Sequence, residues 1–327
     1  MKPGCPVWVV LLGLLASASS LSAAENATDV KLTPLADRVR IEIGGKLFSE
    51  YVFSGAPRPY LYPVLAADGT GLTRDWPQRE TTNEEHDHLQ HRSLWFAHGA
   101  VNGHDFWREI AGTGHVEHEG VPDITSGAVG VVHARDRWVA ADGKLVCTDD
   151  VTIRVRATPA ARMLDYDIIL RALPDAPLVF GDSKEGTMAI RVAQWMTLPG
   201  PGSGQAAPIG AGHIVLSTGL RDNATWGKPG EWCDFYAPHE GRVLGVAIFN
   251  HPNNPRHPTR WMVRGYGLFA AGPFGQHDFD PKEPVGSGDF TIPAGGSATL
   301  RYRFYLHEGD TAAAEVAARY QDYAAGK

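Results

Sequence analysis

The stretch Leu300-Arg301-Tyr302-Arg303-Phe304-Tyr305-Leu306 alternates two kinds of side chain along its length. Successive side chains on an extended chain point to opposite faces, so Leu300, Tyr302, Phe304 and Leu306 share one side and Arg301, Arg303 and Tyr305 the other. Such a strand lays one face on a core and turns the other to water. The pattern recurs in Val39, Ile41 and Ile43 against Arg38, Arg40 and Glu42. It recurs again in Val151, Ile153 and Val155 against Thr152, Arg154 and Arg156, and in Leu164, Tyr166 and Ile168 against Asp165 and Asp167. Gly44-Gly45, Asp68-Gly69, Asp142-Gly143 and Ala294-Gly295-Gly296 are turn signals between such runs. Many strands at short intervals with little helix between them predict a mainly β fold, an antiparallel β-sandwich or a barrel. A short C-terminal helix is expected, with Asp310 as its cap and Ala313, Val316, Ala317 and Tyr320 on one face. Residues 199–212, rich in Gly and Pro, read as a connection between two strands of one domain, because the strand pattern is alike on both sides.

The N-terminus reads as an export signal. Lys2 is the only charge before Glu25, an apolar run follows over residues 7–15, and Ser22-Ala23-Ala24 fits a small-x-small cleavage site. The expectation is a signal peptide over residues 1–24, a single domain over residues 25–327, and a periplasmic or secreted location. The apolar run is shorter than the roughly 20 residues a membrane-spanning helix takes. No later stretch is apolar enough to cross, so no membrane span is expected after cleavage. The chain carries 30 Lys and Arg against 37 Asp and Glu, a net charge of −7, with no basic tract. Nucleic acid and anionic membrane surfaces are therefore disfavoured as partners. Cys147 and Cys233 would remain after cleavage. An oxidising compartment permits a bridge between them, and two separate buried thiols is the other reading.

Three segments are more polar and aromatic than a strand-and-turn scaffold requires. The first, residues 85–109, holds His86, His88, His91, His98 and His104, interleaved with Asp87, Arg92, Trp95, Asp105 and Trp107. Imidazole titrates near neutral pH, which suits it to proton transfer, and it is also a common metal ligand. A divalent metal is thus one expectation here, although no known ligand spacing is matched. The second segment, residues 181–187, places Asp182, Lys184 and Glu185 between glycines just before a strand, where Glu185 could act as a general base or sit in a solvated turn. The third, residues 249–275, is a proline-stiffened loop carrying Asn250, Arg256, His257 and Trp261. Loops held by a rigid scaffold commonly carry function. Aromatic faces pack on sugar rings while Asn, Asp, Arg and His bond their hydroxyls, although most tryptophans of such a chain belong to the core.

Taken together, the runs H-R-S-L-W-F-A-H-G, G-D-S-K-E-G and N-P-R-H-P-T-R-W-M-V-R-G-Y-G-L-F-A-A-G-P-F-G resemble a family of secreted bacterial proteins of unknown function labelled methane oxygenase PmoA-like. The closing stretch I-P-A-G-G-S-A-T-L-R-Y-R-F-Y-L-H is similar to the final strands of galactose-mutarotase-like supersandwich domains. The second resemblance implies a supersandwich fold and carbohydrate chemistry with a His acid and a Glu base. The first implies a metal-dependent oxidoreductase. By analogy with mutarotases, His88, His91 and Glu185 would be catalytic. Arg92, Trp95, His98, Asp105, Asn250, Arg256, His257 and Trp261 would bind a small-molecule or oligosaccharide substrate. The leading expectation is an exported epimerase, lyase or hydrolase acting on a sugar or glycan fragment, with a non-catalytic carbohydrate-binding protein as the alternative.

Overall fold

The computed structural model describes residues 28–200 and 210–326, together with Met1. The expected signal peptide, Met1 apart, and most of the 199–212 connection lie outside these residues. Strand Ser297–Glu308, which contains the alternating stretch above, pairs antiparallel with Ala161–Ala172 on one side and Arg242–Asn250 on the other. It is an interior strand of a nine-stranded antiparallel sheet. That sheet continues through Leu145–Ala157 and Gly130–Val139 in one direction and through Trp232–His239 and His213–Leu216 in the other.

A second nine-stranded sheet packs across it. Its order is Val30–Pro34, Arg38–Ile43, Lys46–Val52, Tyr60–Leu61, Leu94–His98, Gly186–Arg191, Leu268–Gly272, Thr259–Val263 and Pro229–Gly230. Gly44 and Gly45, at φ 57° and 75°, turn the hairpin between Arg38–Ile43 and Lys46–Val52. Both residues adopt the left-handed region that L side chains resist. One cluster of buried side chains joins the inner faces of the two sheets, including Ile41, Phe96, Met188 and Trp261 from one and Ile153, Leu164, Tyr302 and Phe304 from the other. Burying each such side chain contributes about 1.5–3 kcal/mol. The fold is a mainly β antiparallel sandwich with a short C-terminal helix, as the alternation predicts.

The outer face of the Ser297–Glu308 sheet departs from the simple half-wet pattern. Arg303 and Tyr305, predicted to face water, are buried. Helix Val316–Ala324 covers them, setting Val316, Tyr320 and Tyr323 against Phe249 and Tyr305. Further along the same face, oppositely charged neighbours meet across strands: Arg154 with Asp167 at 2.7 Å, and Asp165 with both Arg156 and Arg303 at 2.5 Å.

The helix begins later than the sequence suggests. Asp310 does cap a turn, its carboxylate accepting from the Ala312 and Ala313 backbone N–H groups. Glu315 then adopts a left-handed backbone at φ 52°, which resets the helical phase. The buried face is therefore Val316, Tyr320 and Tyr323, while Ala313 and Ala317 are exposed.

Cys147 and Cys233 are both buried free thiols, and burial raises both thiol pKa values. They lie in the same sheet, on strands separated by three others. At ~4.8 Å between neighbouring strands this puts them about 19 Å apart, beyond any disulfide.

Candidate functional site

Four neighbouring strands of the second sheet carry the site. Registers Trp95↔Ala189, Ala189↔Ala270 and Ala270↔Met262 set these four residues in one row across the sheet. Their side chains face away from the main core and form a separate buried cluster with Ala97, Leu268 and Trp107. The even-numbered neighbours Phe96, Met188 and Ile190 face the core instead. Period-2 alternation on strands covered from both sides thus produces a second apolar floor, kept low by alanines.

A column of rings stands on this floor. His91 lies over Trp95 with ring centres 5.4 Å apart and meets the edge of Trp107 at 6.0 Å. His88 stacks on His91 at 4.6 Å and 6°. Tyr266 also stacks on His88, at 5.4 Å and 8°. The column runs from a fully buried indole to His88, whose side chain is 38% exposed. His88 reaches this position from a left-handed backbone at φ 47°, fixed by hydrogen bonds to its carbonyl from the His91 N–H and Arg74.

Two buried arginines lock the histidines. Arg191, on strand Gly186–Arg191, donates to His91 Nδ1 at 3.1 Å and to Asp87 Oδ1 at 2.9 Å, and its guanidinium lies 4.7 Å from the centre of the Tyr266 ring. Arg74 pairs with the same Asp87 and donates to the carbonyls of Trp76, Glu85 and His88. Glu85 lies 3.6 Å from Arg191, so two buried cations face two carboxylates. A guanidinium has no acceptor, so His91 Nδ1 must accept and its proton sits on Nε2. Burial pushes the His91 pKa well below the imidazole range, with the Arg191, His88 and Arg74 charges acting in the same direction. His91 is a neutral hydrogen-bond donor, with no Nε2 partner among the described residues. His88 differs: its Nδ1 donates to Asp87 Oδ2 at 2.6 Å, so the neutral ring in this orientation presents its lone pair on Nε2.

Glu185 lies on the loop before strand Gly186–Arg191, near enough to His88 to feel its charge. Its backbone carbonyl accepts from the Gly99 N–H at 2.7 Å, and its N–H donates to Ser183 Oγ. A Cβ at position 99 would fall 2.8 Å from Glu185 Cβ, so glycine there makes room for the side chain. The carboxylate has no hydrogen-bond or ion-pair partner among the described residues. Burial raises its pKa, opposed by the charge of Lys184 and by His88 when that ring is protonated, and reinforced by Asp105 and Asp278. His88 is thus within electrostatic reach of Glu185, with no direct hydrogen bond between them.

The remaining residues singled out in the sequence are already engaged. Arg92 makes a two-pronged ion pair with Glu109, and Glu109 also holds Arg58. Asp105 closes its own turn, accepting from the Trp107 and Arg108 N–H groups. His98 is fully buried, donates from Nε2 to the Gly181 carbonyl at 2.8 Å and is held by burial to a pKa of about 4. Trp261 is a core residue whose indole N–H donates to Gly230, while Trp95 is buried as the base of the ring column. Asn250, His257 and Asn254 bond one another and, through Asn254, the backbone of Arg301. Arg256 donates to the carbonyls of Ser287 and Asp289, and Asp289 holds the N–H of Asp182 at 2.7 Å. Arg256 and His98 thus brace the loop that carries Glu185 without joining the ring column.

Asp87, Arg74, Arg191 and Tyr266 complete the site and were not singled out as site residues in the sequence. Arg191 carried a signal: it is a lone cation in the strand-like run Met188-Ala189-Ile190-Arg191-Val192-Ala193. The histidines of the first segment disperse. His86 stacks on Trp76 and bonds the Thr81 carbonyl, while His98 lies in the core. Among the described residues no three His, Cys, Asp or Glu side chains converge to hold a metal ion.

A family model described as a family of unknown function (DUF6807) matches residues 38–321. The chain belongs to this family. No curated protein matches it in sequence. Among solved structures, the alpha-galactosidase from Lactobacillus brevis is similar at 9% identity and TM-score 0.35, with 86% of this chain and 39% of that one covered. The GH36 alpha-galactosidase AgaA from Geobacillus stearothermophilus, a variant solved in complex with raffinose, is similar at 12% identity and TM-score 0.35, covering 86% and 40%. The 4-alpha-glucanotransferase from Thermococcus litoralis follows at 10% identity and TM-score 0.31, covering 86% and 40%. This family member spans about two fifths of the length of those structures.

Proposed function

We propose that the protein is exported and acts on a sugar or glycan fragment by proton transfer, as an epimerase, lyase or hydrolase. The observation that carries this reading is the half-buried Glu185 carboxylate, without a partner among the described residues, within electrostatic reach of the Asp87-oriented His88. Burial favours the protonated form of Glu185, suiting it to act as the acid. His88, with Nδ1 bound to Asp87, offers the Nε2 lone pair as the base. His91 offers a neutral N–H to an oxygen that gains charge. A substrate atom would sit between His88 and Glu185, with the Tyr266 ring stacked on His88.

The test is a turnover screen over mono- and oligosaccharides with the wild type, Glu185→Gln and His88→Gln. Loss of either proton-transfer group costs about 10²–10⁴-fold in rate while the fold persists. Turnover that survives both substitutions would sink the reading. Saccharide binding without turnover, insensitive to both, would leave a non-catalytic carbohydrate-binding protein. For export, N-terminal sequencing of the protein recovered from the periplasm or medium should begin at Glu25.

A further inference from the structure

A second concave site lies on the other side of the wall that holds the ring column. Thr73 bridges Val192, and the Arg74 N–H donates to the Arg191 carbonyl, joining two extended segments. Alternation divides their side chains. Arg74 and Arg191 point to Asp87 in the candidate active site, whereas Thr73, Asp75, Ala193 and Trp195 line a separate cleft of about 1000 Å³. The turn carrying His239 and Glu240 and the loop carrying Gln78 and Glu84 complete it.

The chemistry of this cleft points to a polyhydroxylated, uncharged ligand. Trp195 is a half-buried indole, its N–H tied to the Gly71 carbonyl and its ring 4.2 Å from that of His239. Tyr62 donates to Asp75 at 2.8 Å, and Arg79 pairs with the same carboxylate. Asp68, Asp75, Glu84 and Glu240 outnumber Arg79, the one Arg or Lys on the lining among the described residues, which disfavours an anion. The Gln78 amide is the sharpest feature. Its nitrogen and oxygen are both buried and neither has a hydrogen-bond partner among the described residues. Leaving a buried amide unpaired is costly, and buried polar groups ordinarily have partners. An amide that both donates and accepts matches a sugar hydroxyl, which does the same. An aromatic face beside such groups suits the apolar face of a pyranose ring.

We infer that this cleft is a second binding site, for an uncharged oligosaccharide, separate from the site of His88 and Glu185. Its volume stands at the upper end of the range for small-molecule sites, ample for several sugar units. It does not depend on the proposed reaction, because it shares no side chain with the ring column.

Calorimetric titration of the full-length protein with maltotriose, cellotriose, xylotriose and trigalacturonate tests the inference. At least one neutral trisaccharide should bind, and trigalacturonate should not. Trp195→Ala should weaken the neutral ligand about tenfold or more. Gln78→Ala should weaken it too without lowering the unfolding midpoint, since it removes two unpaired polar atoms. Glu185→Gln and His88→Gln should leave this affinity unchanged. The inference is overturned if no neutral trisaccharide binds, if trigalacturonate binds equally well, or if binding responds to Glu185→Gln and not to Gln78→Ala. The last outcome would assign the ligand to the ring-column site alone.

Discussion

Arg191 holds His91 from 3.1 Å, guanidinium to Nδ1, with both side chains about 1% exposed. A cation that presses an imidazole into its neutral form would ordinarily be a poor neighbour. It is kept in place because the same guanidinium is neutralised by Asp87 and Glu85. The two histidines of the column consequently differ in kind, one a fixed neutral donor and the other a half-exposed acceptor.

Removing that guanidinium should be costly. Arg191→Met takes one cation from a buried group of two arginines and two carboxylates, and the uncompensated carboxylate charge should destabilise the fold by about 3–5 kcal/mol. Urea unfolding at neutral pH measures the loss. A change below 1 kcal/mol would mean that water already solvates Asp87 and Glu85.

Acid should weaken the protein through His98. Its pKa falls from 6.5 to about 4 because the ring is buried. Between those values the unfolded chain binds a proton that the folded chain refuses, so stability declines as pH drops from about 6.5 toward about 4. The decline attributable to this ring is on the order of 3 kcal/mol. His91 is shifted in the same direction and adds to it. His98→Gln can keep the donor to Gly181 and should show a shallower decline in urea titrations across that range. An unchanged slope would refute the assignment.

Glu185 has the opposite linkage. Its folded pKa is raised, so the native state prefers the protonated carboxyl and loses stability as pH climbs through that pKa. Glu185→Gln should therefore raise the unfolding midpoint at neutral pH, and the gain should vanish below the usual carboxylate range. Coupled with lost turnover, this would mark a residue whose ionisation opposes folding and serves chemistry. A destabilised Glu185→Gln would instead indicate a structural carboxylate.

The thiols give a direct chemical check. Cys147 and Cys233 should both react with a thiol reagent once the chain is unfolded without reductant, and neither should react quickly in the native state, because burial holds them as thiols. A bridged pair would contradict the strand order.

The sheets were legible because alternation reports directly on which side chain meets a core. Leu300 to Leu306 and Val151 to Val155 needed only period-2 reading. What failed were positions where a distant segment covers the face that alternation assigns to water, as the C-terminal helix covers Arg303 and Tyr305. The site was legible in part for a related reason. A histidine-rich stretch announces itself, but whether His88, His91 or His98 faces solvent depends on a left-handed backbone, a neighbouring strand and a buried arginine. Arg191 and Arg74 carry little signal in the sequence, because their partners Asp87, Glu85 and His91 come from another segment. Asn250, Arg256 and His257 were noticed for their polarity, which the structure spends on holding loops together.

A floor made of alanine can readily be raised by point mutation but lowered only by a methyl group. Any larger residue at Ala189 or Ala270 would push on the Trp95, Trp107 and Tyr266 rings packed in the same cluster, and through them on the imidazoles. Enlarging the space above the floor requires a change in the rings or the rim. Variation along this row therefore has a built-in direction: under the proposed function it would shorten the vertical dimension of a ligand, while breadth would be set by the loops that bear His88, Glu185 and Tyr266.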